Sequence, residues 1–473
     1  MLAGDLAPAG SLDVVSPFDG RHLDSVATAG PQHVERALAV AHDAFRNRDR
    51  WLPVPRRVAI LQRAAELMSA DEKNLALLAA SEGGKPLADS LVEVKRAIDG
   101  VHLCIESLRG HAGNVIPVGT TAASSGRIAY TQKEPIGVVV AVSAFNHPLN
   151  LIVHQVAPAV ASGCPVIVKP ADDTPLSCLR FVAILREAGL AAEWCQALVA
   201  DKLETAEKLV TDRRVAFFSF IGSARVGWML RSKLAPGTRC ALEHGGAAPA
   251  ILAEPFDEKA ALASVLKGGF YHAGQVCVSV QRVFVPSASA QEFAEKLAAM
   301  AHDLTVGPPE EAGTDVGPLI RPRECDRVDS WVREAIADGA TLVGGGEKLS
   351  DSCYSPTVLL NPAESARVSQ QEIFGPVVCV YGYDSIDTAI QQANALPLAF
   401  QSAVYTQDID AAMSIAGKLD ASAVMINDHT AFRDDVMPFA GLRESGLGIG
   451  GIPYSMEDMQ IEKMTVIKSA GLP

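Results

Sequence analysis

Positive charge is in deficit in this 473-residue sequence: 41 lysines and arginines face 55 aspartates and glutamates, a formal net charge of -14. Such a balance repels phosphodiester backbones and anionic bilayers, so neither nucleic acid nor a membrane surface is an expected partner. No stretch reaches the roughly 18 consecutive apolar residues of a membrane span. The opening MLAGDLAPAGSLDVVSPFDG lacks both the basic start and the apolar middle of a secretory leader. Paired cysteines are missing too. The nine cysteines are odd in number, run from Cys104 to Cys379 and include no C-x-x-C pair, so neither a disulfide framework nor a zinc site is indicated, and no metal is expected. A reducing, cytoplasmic setting is the expectation. Internal repeats and low-complexity tracts are also absent, which excludes solenoids and extended tails.

What is present is apolar and glycine-rich: 48% hydrophobic residues and 38 glycines over a length that exceeds one ordinary core. Residues 34–112 carry apolar positions three and four apart, as in VERALAVAHDAF and RRVAILQRAAELMSA, and predict helices. IPVGTTAASSGRIAYTQKEP then reads as an exposed hairpin or linker. After it, strand-like runs alternate with helical ones: IGVVVAVSA, PVIVKP and VAFFSFIGS each precede an amphipathic segment. That alternation predicts a parallel α/β sheet with crossover helices. A second series from VQRVFVPS to SAVYTQ predicts another α/β domain.

Several short motifs punctuate these elements. Cys277 stands in YHAGQVCVSVQRV, where packing makes no demand for a thiol; a buried structural cysteine and a nucleophile are both open readings. Asn146 in FNHPLN reads equally as a helix N-cap. FIGSARVG places Gly222 and Ser223 at a strand-to-helix turn suited to a pyrophosphate, although it is not the G-x-G-x-x-G fingerprint. Lys169 by itself is an ordinary charge at a strand end.

Taken in order, FNHPLN (145–150), VIVKPADDTPL (166–176), FIGSARVG (220–227), LEHGG (242–246), GQVC (274–277), EIFGPV (372–377) and PFAGLRESGLG (438–448) resemble the NAD(P)-dependent aldehyde dehydrogenase superfamily over essentially the whole chain. The resemblance implies that Cys277 is the nucleophile, that the Asn146 amide is an oxyanion donor and that Glu243 is the base for an attacking water. It also implies that Gly222, Ser223, Lys169, Glu372 and Phe374 bind the cofactor. His244, beside Glu243, departs from the commoner leucine, and its role stays open. Asp172, three residues after Lys169, can accept from a ribose 2′-hydroxyl and repel a 2′-phosphate, so NAD is expected ahead of NADP.

The substrate is expected to be a small aldehyde. His147 and His154 are expected to share one face of a helix over HPLNLIVHQVAPAV, and Arg433 and Phe439 lie on a tail segment that meets substrate in relatives. A polar pocket for a short polar or anionic aldehyde follows, similar to phosphonoacetaldehyde and lactaldehyde dehydrogenases. Val276 stands where the phosphonate type tends to carry arginine, which argues against equating them. Arg282 and Arg443 say little about specificity, and His429 joins the same tail. A coenzyme A-acylating dehydrogenase is disfavoured by Glu243, and a cysteine hydrolase paired with His272 would leave the dinucleotide motifs without purpose.

The implied architecture is α/β in the aldehyde dehydrogenase fold. A Rossmann-like cofactor domain takes residues 1–113 and 137–245, an α/β catalytic domain takes 246–453, and a small β oligomerisation arm takes 114–136 and 454–473. The arm implies a homodimer or homotetramer.

Overall fold

A computed structural model describes residues 1–2 and 6–472. The predicted lead-in helices are present as α1 (Pro31–Arg46), α2 (Val54–Ala70), α3 (Glu72–Gly83) and α4 (Leu87–Gly110). Helix α4 buries Val94, Ala97, Ile98, Val101, Cys104, Ile105 and Leu108, the three-and-four spacing that creates one apolar stripe.

The first sheet explains where a ligand goes. Strands Val138–Val142, Val166–Lys169, Cys195–Ala197, Val215–Ile221 and Arg239–Glu243 run parallel, and in space the fourth and first are neighbours, with the second and third beyond the first. This is the doubly wound order, with its switch point between Val138–Val142 and Val215–Ile221; ligands dock outside the carboxyl ends of the strands at such a point. Four of the five residues of Val138–Val142 are buried, as a strand covered on both faces requires. Gly446–Leu447 adds an antiparallel edge beside Arg239–Glu243, bringing a late segment into this sheet rather than leaving it with the second.

The second sheet has seven strands around Ala248–Leu252, Val280–Pro286 and Val377–Tyr383, parallel except for Thr341–Gly344 at one edge. The hairpin segment and the C-terminal run form a separate three-stranded antiparallel sheet, in which Gln460–Lys468 pairs with Arg127–Pro135 along its whole length.

Two helix starts are capped from a distance. Helix α5 (Asn150–Ser162) and helix α6 (Pro175–Glu187) have no side-chain cap of their own. Glu93 accepts from the Leu149 and Asn150 N–H groups at 2.9 and 3.0 Å, and Glu82 accepts from Leu176 and Ser177 at 2.7 and 2.8 Å. Each buried carboxylate thereby meets orphan donors and the positive end of a helix dipole. Among the described residues, no helix is long and apolar enough to cross a membrane.

Candidate active site

The site lies at the junction of the two sheets. Glu243 ends the last strand of the first sheet, and the glycines behind it lead directly into Ala248–Leu252 of the second. The Gly246 N–H donates to the Cys277 carbonyl at 3.1 Å, tying the junction to the segment before Val280–Pro286. Small residues are required here. A Cβ on Gly245 would sit 1.6 Å from Glu372 Oε1, and one on Gly450 would sit 2.4 Å from Glu243 Oε1. Gly274, with φ +69, passes so close to Gly375 that a Cβ would lie 2.1 Å from its carbonyl oxygen.

Cys277 and Cys240 are partly exposed, whereas Cys104, Cys164, Cys178, Cys195, Cys325, Cys353 and Cys379 are buried. Burial of the Cys277 sulfur pushes the thiol's pKa up; Glu372 and Glu243 add to the rise, and Arg433 opposes it. The same groups therefore act on one sulfur. Asn146 is buried and donates through Nδ2 to the Gln275 carbonyl at 2.9 Å. An amide nitrogen carries two hydrogens, so this bond leaves one of them free to donate. Asn146 is not an N-cap, because α5 begins only at Asn150 with Leu149 before it. Burial raises Glu243 to a pKa of about 7, with Arg433 pulling the other way, and raises Glu372 to about 8. A carboxyl poised near neutrality is suited to exchanging protons with water.

Of the residues expected to bind the cofactor, Lys169, Gly222 and Ser223 lie at the carboxyl ends of first-sheet strands. Gly222 and Ser223 form the turn into helix α7 (Ala224–Arg231), with Ser223 at the N-cap position in an extended conformation. Lys169 ends its strand and pairs with Asp172 at 2.5 Å. Glu372 Oε1 is buried without a hydrogen-bond partner, and Phe374, at φ +48, stands edge-on to Phe145 with ring centroids 5.8 Å apart. An orphaned Glu372 oxygen beside a gap lined by Gly246, Gly274 and Gly375 fits a dinucleotide, whose ribose hydroxyls need hydrogen-bond partners.

The substrate-side residues are arranged differently from the expectation. His147 precedes α5 instead of sharing a helix face with His154. Its ring lies 6.1 Å from Tyr271 and 6.2 Å from His272, and burial, with Lys85 nearby, holds its pKa well below the usual imidazole range. His154 Nε2 is 2.9 Å from Asp435 Oδ1, and Arg96 grips the same carboxylate at 2.6 and 3.1 Å. Asp435, held well below the usual carboxylate range by these two partners, thus accepts from both and offsets the charge of Arg96, whereas burial lowers the pKa of His154. Arg433 lies with its guanidinium 4.6 Å from the Phe439 ring centroid; Nη1 donates to the Pro438 carbonyl at 3.2 Å, and Nη2 is buried without a partner. Phe439 packs with Phe400, Val276 and Cys277 in one apolar cluster. His429 lies half-buried with Nδ1 unpartnered.

Sequence reading missed Arg96, Asp435, Glu93, Lys85 and Gln275. Gln275 Nε2 donates to the Pro318 carbonyl at 3.1 Å, and its Oε1 accepts from the Ile320 N–H at 3.0 Å, which fixes the carbonyl that Asn146 meets. Its place two residues before Cys277 was the available signal; Arg96 and Asp435 carried none, being 339 residues apart.

The sequence model of the Aldehyde dehydrogenase family matches residues 6–465. The chain belongs to that family. It is 35% identical to a 3-sulfolactaldehyde dehydrogenase of Priestia aryabhattai over 97% of this chain and 95% of the relative. Aldehyde dehydrogenase 21 of Physcomitrella patens, solved in complex with the reaction product succinate, superposes with a TM-score of 0.93 at 32% identity, over 98% of this chain and 96% of that one. A glyceraldehyde-3-phosphate dehydrogenase of Methanocaldococcus jannaschii, complexed with NADP, gives 0.91 at 32% identity, over 97% and 99%. The protein has the aldehyde dehydrogenase fold and is an oxidoreductase acting on aldehydes.

Proposed function

We propose that this family member oxidises a short anionic aldehyde to its carboxylic acid through a covalent bond to Cys277, with NAD preferred. The observation that carries the anionic reading is the buried, unpartnered Arg433 Nη2 beside the group formed by Cys277, Glu243 and Phe439. A buried guanidinium nitrogen whose hydrogens lack an acceptor is costly in such a place and invites an anion. The named relatives act on, or hold, aldehydes or products that carry a sulfonate, carboxylate or phosphate, which supports the same class.

In the proposed reaction the Cys277 sulfur adds to the aldehyde carbon, and the oxygen gains negative charge facing the free Asn146 N–H. The thiol proton leaves to solvent, so that Glu243 stays free to act as the later base. A bound nicotinamide cofactor supplies the acceptor for the hydride whose loss turns the thiohemiacetal into a thioester. Gly222, Ser223, Lys169, Glu372 and Phe374 would hold it. Glu243 then takes a proton from water as its oxygen attacks the thioester carbon, and the Cys277–carbonyl bond breaks to release the acid. Asp172 neutralises Lys169 and presents a carboxylate beside the ribose position, which favours NAD over a 2′-phosphorylated cofactor.

A hydrolase reading finds less support: His272 is fully buried, held at φ +48 and edge-on to His147, with both ring nitrogens unpartnered. The test is a panel of sulfonated, carboxylated, aliphatic and aromatic aldehydes assayed with NAD and with NADP. Highest kcat/KM with benzaldehyde or octanal would remove the anionic reading, and higher kcat/KM with NADP would remove the NAD preference.

The same reading divides the chain into a cofactor domain (1–113, 137–245), a catalytic domain (246–453) and an arm (114–136, 454–473), with Gly446–Leu447 lent back to the first sheet; residues 3–5 and 473 of that division lie outside the described residues. The arm exposes Val115, Met464, Val466 and Ile467 on one small sheet, which supports a homodimer or homotetramer.

A further inference from the structure

A phosphate-binding turn works only if its peptide planes are held, because each N–H must already face the anion when it arrives. The Gly222 N–H donates to the Glu243 carbonyl at 3.0 Å. The Gly222 carbonyl oxygen lies 2.8 Å from His244 Nδ1. A carbonyl only accepts, so Nδ1 carries the hydrogen and Nε2 is bare. Nε2 is buried without a partner, a destabilising arrangement that leucine at this place would avoid; what the imidazole adds is the Nδ1 donor. The ring is fixed between Phe220 and Trp228, at centroid distances of 5.7 and 5.8 Å. A Cβ on Gly227 would lie 2.0 Å from His244 Cε1, so the second glycine of FIGSARVG makes room for this imidazole. The backbone of His244 is fixed as well, its N–H donating to the Ser445 carbonyl at 3.0 Å.

In a trans peptide the C=O and the following N–H point in opposite directions. Anchoring the Gly222 oxygen on His244 therefore turns the Ser223 N–H away from the imidazole. We propose that His244 is a positioning residue for the cofactor's pyrophosphate: its Nδ1–H locks the Gly222–Ser223 peptide, so that the Ser223 N–H and the first turn of α7 stay aimed at the phosphates. The lock also joins this turn to the strand that carries Glu243, since Gly222 is held on one side by the Glu243 carbonyl and on the other by the His244 ring. The proposal rests on the reading of Gly222 and Ser223 as cofactor residues.

The test compares His244→Leu, which fills the space without a donor, with His244→Asn, whose Nδ2 reaches the position of Nδ1. NADH affinity is measured by nicotinamide fluorescence, and KM for NAD, KM for the aldehyde and kcat by steady-state turnover, on variants whose circular dichroism and melting match the parent. His244→Leu is expected to raise the NADH Kd and the KM for NAD about three- to tenfold, the scale of one hydrogen bond. The aldehyde KM should hold and kcat at saturating NAD should fall less than twofold, while His244→Asn recovers most of the cofactor affinity. Parent-like NADH binding by His244→Leu, or equal impairment of the Leu and Asn variants, overturns the positioning role. Ser223→Pro separates this from the underlying reading: it removes the N–H at a residue whose φ of -64 suits proline. Unchanged NADH binding by Ser223→Pro defeats the cofactor site itself; weakened binding there beside a silent His244→Leu defeats only the lock.

Discussion

Glu372 and Glu243 make ionisation of the Cys277 thiol harder, while the pKa of Glu243 itself is raised by burial. Under the proposed mechanism, Cys277→Ala should abolish NADH formation while NADH binding stays within about twofold of the parent; turnover surviving in that variant would end the covalent mechanism. Glu243 must be ionised to accept a proton, and its raised pKa of about 7 places that ionisation near neutrality. The kcat profile should therefore rise with pH through about 7 and level off above it, and Glu243→Gln should lose that limb along with most of the deacylation rate. A pH-independent kcat between 6 and 8 in the parent would show that another step or another base governs turnover. Arg433→Met should cost anionic aldehydes about 1.5 to 3 kcal/mol in kcat/KM, the scale of a hydrogen bond to a charged group, and neutral ones far less. Equal losses for both classes would mean that Arg433 acts only by packing on Phe439. His154 is expected to affect substrate choice only through Asp435, which occupies its Nε2.

At the scale of elements, the segment bearing Asn146 depends on a helix start that its own residues do not cap. Glu93 holds it and also pairs with Lys85, and both side chains are fully buried. Glu93→Ala should lose about 3 to 5 kcal/mol, because Lys85 is left buried and uncompensated and two N–H groups lose their acceptor. Glu93→Gln keeps an oxygen for the helix and should lose less, a ranking readable from urea midpoints. If alanine proved the milder change, the carboxylate would not be the cap. Strands and most helices of this region were legible because their apolar spacing is local: VVVAV, for instance, is a covered strand wherever it is read. The start of α5 was not legible. HPLNLIVHQVAPAV continues an apolar pattern through His147, yet the helix begins at Asn150, where Glu93 from α4 supplies the acceptors. Nothing within six residues of Asn150 carries that information.

For the whole molecule, the arm is the feature that a single chain leaves incomplete. Met464 and Val466 are 55% and 48% exposed on a strand whose far edge has no partner among the described residues. Met464→Lys with Val466→Lys should shift the protein to a smaller species in sedimentation velocity while leaving the far-ultraviolet circular dichroism unchanged. A parent that sediments as a monomer would remove the assembly proposal.

The sequence by itself determined the family, the alternation of strands and helices, and the residue types at Cys277, Glu243, Asn146, Glu372 and Gly222. Each is carried by a short motif, and a motif holds its chemistry and its backbone demand together within a few residues. Tertiary structure alone decided how the charges around them are spent. Asp435 reaches back across 339 residues to Arg96 and also takes His154, while His147 lies before α5 against Tyr271 and His272, so the two histidines do not form one polar face; Arg433 keeps an unpartnered nitrogen. The same holds for His244, whose meaning depends on a carbonyl 22 residues earlier. Periodicity shows which face of an element is buried, but a polar side chain pairs with whatever donor or acceptor the packing brings within 3 Å or so, and that neighbour comes from any part of the chain.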